Sequence, residues 1–496
     1  MTHPVGPATR TAPEAETGSE PGKGDAVTRV LGWMPYLLLA GLLFGMVRAV
    51  TAPISNPDTF FHLRYGHEFL THWSLRHPGH VSTFGHRDWV PTQWASQMLM
   101  ALTENAFGLA GVAWLSGLVV LTTVVTVFLV ARRYADPLPA AVVSLLAVLG
   151  MSANLTPRPQ VVSYLLVLVV THVWLRTAQD LRPRWWLVPL TWVWATVHGM
   201  WPIGALIGLV AVLGIAIDQR SRLADLRPVL LRLLAVPVLS LVAAAATPVG
   251  PRLYGAVLLV GGRAKFHSEW APTDFHDRQA AIAALLVVVT LVIWLMVRRD
   301  ERPDWVSLLL LLMAAGWSAY AVRTVPLAAM MTVPFVAAAL QSLVGRSRPA
   351  PRRERAVVAA VVVAAVAAMT ALVPVTADRP ATVPGWLNPA LDRLPDGTSV
   401  QATDVMGGYL MWRHPELNPV IDGYSDAYTT AWLQKQLDLQ ELKRGWDRTL
   451  RESKVRYALL PPKSALAYEL GHLEGWRVLH ESKDVTMFEA PEGWGR

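Results

Sequence analysis

The chain contains no cysteine, so neither disulfides nor thiolate metal sites are open to it. Charge is also scarce. Asp, Glu, Lys and Arg make up 16% of the 496 residues, against about 25% in soluble domains. With 53% hydrophobic residues, this scarcity excludes a soluble globular enzyme. No long basic stripe accompanies the formal net charge of +8, so nucleic acid is excluded as a partner. No repeat of fixed period is present either.

What is present is a succession of apolar runs, most of them roughly 20 residues long and able to cross a bilayer as helices. They lie at 31–51, 109–131, 137–153, 160–175, 186–199, 202–217, 229–246, 280–297, 305–321, 325–343 and 356–375. That predicts an all-α polytopic membrane protein with about eleven transmembrane helices, although 186–199 is short for a span. Arginine sets the orientation. Alternate connections hold Arg132 and Arg133; Arg176, Arg182 and Arg184; Arg220, Arg222 and Arg227; Arg298, Arg299 and Arg302; and Arg346, Arg348, Arg352, Arg353 and Arg355. Arg10, Lys23 and Arg29 precede the first run. Short basic connections stay in the cytoplasm, so the N-terminus is expected inside and the C-terminal part outside the plasma membrane.

The expected organisation is therefore a disordered cytoplasmic tail over 1–30 and a transmembrane domain over 31–375. Two long outer loops, 52–108 and 247–279, interrupt that domain, and an extracytoplasmic α/β domain follows over 376–496. In the last part, strand-like runs at Val455–Leu460 and Val485–Phe488 alternate with helical runs at Thr430–Lys443 and Ser464–His472.

The polar residues with chemical potential gather at the outer ends of the spans. Asn56-Pro57-Asp58-Thr59-Phe60-Phe61-His62-Leu63-Arg64 follows the first span. Asp58 and His62 share a face if that stretch is helical. Gln93-Trp94 ends the first outer loop, and Arg158-Pro159-Gln160 opens a span. His198-Gly199 forms a turn, Ser268-Glu269-Trp270 lies in the second outer loop, and Arg323 precedes Pro326. Ionisable groups near a bilayer are costly unless a cavity or partner receives them, so their convergence on one face is the main functional signal. Each residue also has a plainer reading. Asp58 suits a helix cap, Arg158 and Arg323 suit interfacial anchors, and Glu269 suits a loop ion pair with Arg263 or Lys265. Trp89, Trp94, Trp201 and Trp270 suit an interface belt. His67, His72, His77 and His80 match no firm metal-ligand spacing.

The Asn-Pro-Asp stretch with its aromatic-His-Leu, the Arg-Pro-Gln, the His-Gly and the Glu-Trp together resemble a family of bacterial multi-pass proteins. That family is grouped with the GT-C glycosyltransferases, the class dependent on lipid-linked sugars. The resemblance continues through Gly407-Gly408-Tyr409-Leu410-Met411-Trp412-Arg413 and Ile421-Asp422-Gly423-Tyr424. It implies a GT-C-like fold with an acid in the first outer loop, the place that Asp58 holds. It also implies transfer of a hexosyl or pentosyl unit from a polyprenyl-phosphate donor to a glycan or lipid acceptor of the cell envelope. Asn56 stands where relatives often carry a second acid, a departure from an Asp-x-Asp metal pair. A divalent cation, Mg or Mn, is the one cofactor this reading admits.

That chemistry suits these residues. The leaving phosphate gains negative charge, which Arg158, Arg323 or a divalent ion can stabilise. The acceptor hydroxyl needs one general base. Asp58 and Glu269 are the catalytic candidates. His62, Arg64, Trp94, Arg158, Gln160, His198, Trp270 and Arg323 are the substrate-binding candidates. The tail is expected to cover the site or recognise the acceptor, because it emerges on the same face as Asp58 and Arg323; Asp404, Asp422 and Asp426 near its glycines are its best polar candidates, although Asp beside Gly commonly marks a turn. Two other classes compete: a transporter or flippase of lipid-linked precursors, and a non-catalytic glycan-binding envelope protein. Reporter fusions after Leu181 and after Ala377 test the expected topology. They should report cytoplasm and exterior respectively, and the same compartment for both defeats the arginine reading.

Overall fold

The computed structural model describes residues 23–296, 303–345, 353–381 and 383–494. Most of the expected N-terminal tail lies outside the described residues, as do Arg298, Arg299, Arg302, Arg346, Arg348 and Arg352. The helical part runs α1 (Lys23–Val50), α2 (Asp58–Thr71), α3 (Trp94–Ala131), α4 (Pro137–Leu149), α5 (Gln160–Asp180), α6 (Leu187–Val197), α7 (Pro202–Asp218), α8 (Leu223–Ala245), α9 (Arg252–Arg263), α10 (Arg278–Met296), α11 (Trp305–Tyr320), α12 (Val325–Val344) and α13 (Glu354–Thr376).

Among the described residues, seven helices are long and apolar enough to cross a membrane: α1, α3, α5, α8, α10, α12 and α13. The chain is thus a multi-pass membrane protein. The expected runs at 137–153, 186–199, 202–217 and 305–321 correspond to α4, α6, α7 and α11. These are apolar helices of only 10–17 residues, so the length of about eleven full spans is not reached. Proline and glycine shorten them: Pro137 and Pro202 start α4 and α7, and Gly150 caps α4. The bundle shows apolar surface as a lipid-facing protein must; Leu295 is 78% and Val375 75% exposed.

The core is built around α12, which packs on α3, α4, α5, α10 and α11. Its Leu327, Met330, Met331 and Val333 are fully buried. At the end of the bundle that carries the basic connections, Arg132 is paired with Glu354 at 2.6 Å. The first outer loop is more ordered than a loop: α2 and the start of α3 occupy much of it. Gly108, at φ 64 and ψ −162, breaks α3 between that outer segment and the apolar run of 109–131.

The C-terminal part holds α14 (Leu387–Leu391), β1 (Ser399–Ala402), α15 (Asp404–Arg413), β2 (Asn418–Pro419), α16 (Thr430–Gln440), α17 (Trp446–Glu452), β3 (Tyr457–Leu460), α18 (Ala465–His472), β4 (Arg477–Glu481) and β5 (Thr486–Glu489). Strand order is β2-β1-β3-β5-β4. β2, β1 and β3 run parallel, while β5 is antiparallel to β3 and to β4. Thr403, Thr429 and Ser464 cap α15, α16 and α18, each side chain accepting from a backbone N–H of the first turn.

This part docks on α2. Phe61 stacks on Tyr424 with centroids 5.2 Å apart, and Phe60 meets Tyr409 edge-on at 5.5 Å. The docking explains the glycines. A Cβ on Gly407 would lie 1.8 Å from the Ile421 carbonyl oxygen, and one on Gly423 would lie 2.9 Å from the Phe61 ring. Ile54 also bridges to Pro380, tying the start of the outer loop to the start of the tail.

Candidate active site

The residues that precede helices at one end of the bundle converge on a cavity of about 1030 Å³. Asp58 is the first residue of α2. Its backbone N–H donates to Asn56 Oδ1 at 3.0 Å, and Asn56 Nδ2 donates to Thr156 Oγ1 at 3.3 Å. Thr59 Oγ1 donates to the Pro157 carbonyl at 3.0 Å. These bonds hold the outer loop against the turn before α5. No side chain caps α2, so the capping role open to Asp58 is not the one it takes.

Its carboxylate belongs instead to a chain of alternating charge. Arg158 Nη1 donates to Asp58 Oδ2 at 2.6 Å, and Arg158 Nη2 donates to Glu269 Oε1 at 2.6 Å. Arg323 Nη1 donates to Glu269 Oε2, also at 2.6 Å. The Arg158 side chain is 9% exposed and Arg323 23%. Arg323 also lies 5.6 Å from the Trp270 ring centroid, a cation–π contact. Glu269 therefore pairs across segments rather than with Arg263 or Lys265.

The two carboxylates are driven apart. Burial pushes Asp58 above its ordinary value, the nearby Glu269 adds to it, and the pull of Arg158 does not cancel them. Burial acts on Glu269 in the same sense, but Arg323 and Arg158 together outweigh it and hold Glu269 low. Opposite shifts in neighbouring acids mark a division of labour: Asp58 is the better proton acceptor, and Glu269 stays charged.

Behind this chain stand two buried histidines. Gln97 Nε2 donates to His62 Nδ1 at 3.2 Å. Ser163 Oγ accepts from Trp194 Nε1 at 2.8 Å and lies 2.8 Å from His198 Nδ1. Gln160 lines the cavity with its Nε2 buried and without a partner.

Of the sequence candidates, Asp58, His62, Arg158, Gln160, His198, Glu269, Trp270 and Arg323 line the cavity, while Arg64 and Trp94 do not. Arg64 turns along α2 to Glu68 at 2.7 Å, and Trp94 is packed between the hydrophobic cores. Of the other tryptophans, Trp89 and Trp201 are buried at 3% and 1% exposure, so neither forms an interface belt.

The tail is more than a cover. Asp404, Gly423, Tyr424, Ser425 and Asp426 line the same cavity, together with Arg263 and His267 of the second outer loop. Arg263 donates to the Ser425 and Tyr428 carbonyls at 3.0 and 3.1 Å and lies 3.5 Å from Asp426. Thr92 Oγ1 donates to Asp426 Oδ2 at 3.3 Å. Sequence spacing offered Arg263 only as a partner for Glu269 and gave no hint of His267, and the aspartates suited turns as well as a site. Apolar residues line the cavity as well: Ile203, Leu206 and Leu209 of α7, Leu241 of α8, Val257 of α9 and Leu327 of α12.

A separate group lies in the tail. Asp392, His414 and Glu416 each place one ligand atom within 4.8 Å of the others, an arrangement that could hold a metal ion. None of the three lines the cavity. A divalent cation is consistent with this group.

No family model matches the chain, and no curated protein is similar to it. Solved structures share its fold. The apo oligosaccharyltransferase of Archaeoglobus fulgidus superposes with a TM-score of 0.57 at 11% identity, covering 88% of this chain and 70% of that one. The archaeal oligosaccharyltransferase AglB from the same organism, solved with an inhibitory peptide and a dolichol-phosphate, gives 0.55 at 10% identity over 86% and 69%. A complex of the A. fulgidus enzyme with Zn and sulfate gives 0.50 at 12% identity over 92% and 74%. The chain thus shares the fold of these oligosaccharyltransferases. These neighbours are archaeal, so they do not support the bacterial grouping.

Beneath the cavity, Asp422 fixes the loop that faces Asp58. Its Oδ2 accepts from the Tyr65 and Tyr428 hydroxyls at 3.1 and 3.2 Å, and its Oδ1 accepts from the Tyr424 N–H at 2.5 Å. Burial pushes this carboxyl up to about 7 despite those bonds. A carboxyl raised on folding contributes stability that is present below its unfolded value of about 4 and is lost as pH rises towards 7. In melting temperature against pH, Asp422→Asn should therefore show a shallower decline than the parent across that interval. An unchanged slope would remove Asp422 as its source.

Proposed function

We propose that the protein is a membrane glycosyltransferase that moves a sugar from a polyprenyl-phosphate donor to an acceptor of the cell envelope. In this reading the cavity opens on the outer face, with the N-terminus cytoplasmic and residues 376–496 forming an extracytoplasmic domain. The observation that carries it is the juxtaposition of the Asp58–Arg158–Glu269–Arg323 chain with an apolar wall in one cavity. A lipid-linked phosphosugar has those two halves: a hydrocarbon tail for the apolar wall and a phosphate for the cations. The dolichol-phosphate bound by the archaeal enzyme of the same fold supports a donor of that chemical class.

The step is a single displacement. The acceptor oxygen attacks the anomeric carbon as Asp58 takes its proton. The bond from that carbon to the phosphate oxygen breaks, and the phosphate leaves with the electron pair. One base and direct attack invert the anomeric centre. Glu269 is held charged between two arginines, so it orients them and does not take the proton. Arg158 has both Nη atoms engaged by carboxylates, whereas Arg323 has one on Glu269 and faces the cavity. Arg323 is therefore the better grip on the donor phosphate. Trp270, Gln160, His62 and His198 shape the pocket around the sugar. The charged groups meet at one end of the bundle, which favours chemistry at an interface over transport across it.

Asp58→Asn keeps the volume and removes the basicity. Transfer from a polyprenyl-phosphate sugar should fall on the order of 10²-fold or more, with donor binding and melting temperature near those of the parent. Near-normal turnover would falsify the base assignment, and donor binding without turnover in the parent would point to the glycan-binding alternative.

A second test concerns the phosphate. Donor affinity should fall in the order parent, Arg323→Lys, Arg323→Ala, since lysine keeps the charge and loses the planar fork. Equal affinity in all three would leave Arg323 as an anchor only.

A further inference from the structure

Two carboxylates from distant segments that face one enclosed cation form the donor set a hard divalent ion takes. Asp58 and Glu269 form such a pair, and a neighbour of the same fold was solved with Zn and sulfate. In this chain, however, the space between the two carboxylates is filled from within. The Arg158 guanidinium reaches Asp58 Oδ2 and Glu269 Oε1 at 2.6 Å with separate Nη atoms, and its side chain is 9% exposed.

The local charge is already balanced. Asp58 and Glu269 are matched by Arg158 and Arg323, so an added divalent ion would leave an excess of two positive charges in a partly enclosed site. The ion would have to expel Arg158. That residue sits between Pro157 and Pro159, with its backbone N–H on the Thr156 carbonyl at 2.6 Å, so the expulsion requires the turn to rebuild. Several neighbouring ligand atoms are also already engaged. Asn56 is engaged with Thr156 and the Asp58 N–H. The Nδ1 atoms of His62 and His198 are taken by Gln97 and Ser163. On the tail side, Asp426 is held by Thr92 and Arg263.

We infer that Arg158 is a built-in cation that takes the place of a divalent metal between Asp58 and Glu269, so that this centre binds no metal ion. The guanidinium is charged at every accessible pH and matches two carboxylates with its planar fork. It brings one positive charge where a metal brings two, and Arg323 supplies the second. The absence of a metal at Asp58 rests on the geometry alone; its bearing on turnover rests on the transferase reading above.

The test is Mn²⁺ binding to the full chain in nanodiscs, followed by electron paramagnetic resonance. Uptake in the parent and in Asp58→Asn should be equal, because any ion held at Asp392, His414 and Glu416 is common to both. Arg158→Met, checked for folding by its melting temperature, should gain Mn²⁺ affinity of about tenfold or more as two carboxylates lose their partner, and adding Asp58→Asn should abolish the gain. EDTA should leave parent turnover unchanged. Mn²⁺ binding in the parent that disappears in Asp58→Asn overturns the inference, as does a folded Arg158→Met with no gain. If Arg158→Met does not fold, the comparison of parent with Asp58→Asn decides. A parent that turns over no lipid-linked donor defeats the transferase reading and leaves the Mn²⁺ comparison intact.

Discussion

The site depends on one guanidinium. Arg158 joins a carboxylate of the segment after α1 to one of the segment between α9 and α10, and no disulfide ties those segments together. Partly buried charges are expensive unless each has a partner. The alternating order acid, base, acid, base meets that condition, with Asp58 and Arg323 at its two ends. Without Arg158, Asp58 and Glu269 would be two like charges on one cavity wall. The same residue thus holds the loops together and separates the acids, while burial of Asp58 and the added pull of Arg323 on Glu269 drive the two apart.

The bundle contributes position more than chemistry. Several site residues stand next to a helix end: Asp58 at the start of α2, Arg158 before α5, His198 between α6 and α7, and Arg323 before α12. Helix termini are where backbone order and side-chain freedom meet, so polar groups there can face a cavity while the spans stay apolar. The short helices α6 and α7 follow from the same demand. Their turn must reach the cavity with His198, and proline at 202 starts the next helix without a long connection.

Much of this was legible in the chain. The apolar runs and the change in composition near residue 376 follow from hydropathy, and the strand and helix alternation of the tail follows from its spacing. Asp58, Arg158, Glu269 and Arg323 were legible because charge beside an apolar run is rare enough to carry information. Arg64 and Trp94 misled for a physical reason: on a helix, one residue's step turns a side chain by about 100°, and neither falls on the cavity face. Arg263 and His267 were not legible as site residues, because their partners lie far off in sequence, while Asp426 was a polar candidate that a neighbouring glycine made look like any turn. The pairing of Glu269 with Arg158 had the same obstacle. Local spacing offered Arg263 and Lys265, and only the folded chain brings Arg158 closer.

The close seat of Gly423 against Phe61 and Asp58 sets an order of assembly. A Cβ there would lie 3.2 Å from Asp58 Oδ1, so the last wall of the pocket is the segment around residue 423, which is made long after residue 58. A chain grows from its N-terminus and its early parts fold first. The spans are therefore in place while the pocket still lacks a side, and a nascent chain holds its acid in a half-built cleft open to water. The contact between Asp58 and Gly423 thus completes the pocket only after the segment around residue 423 has been made and has docked on α2.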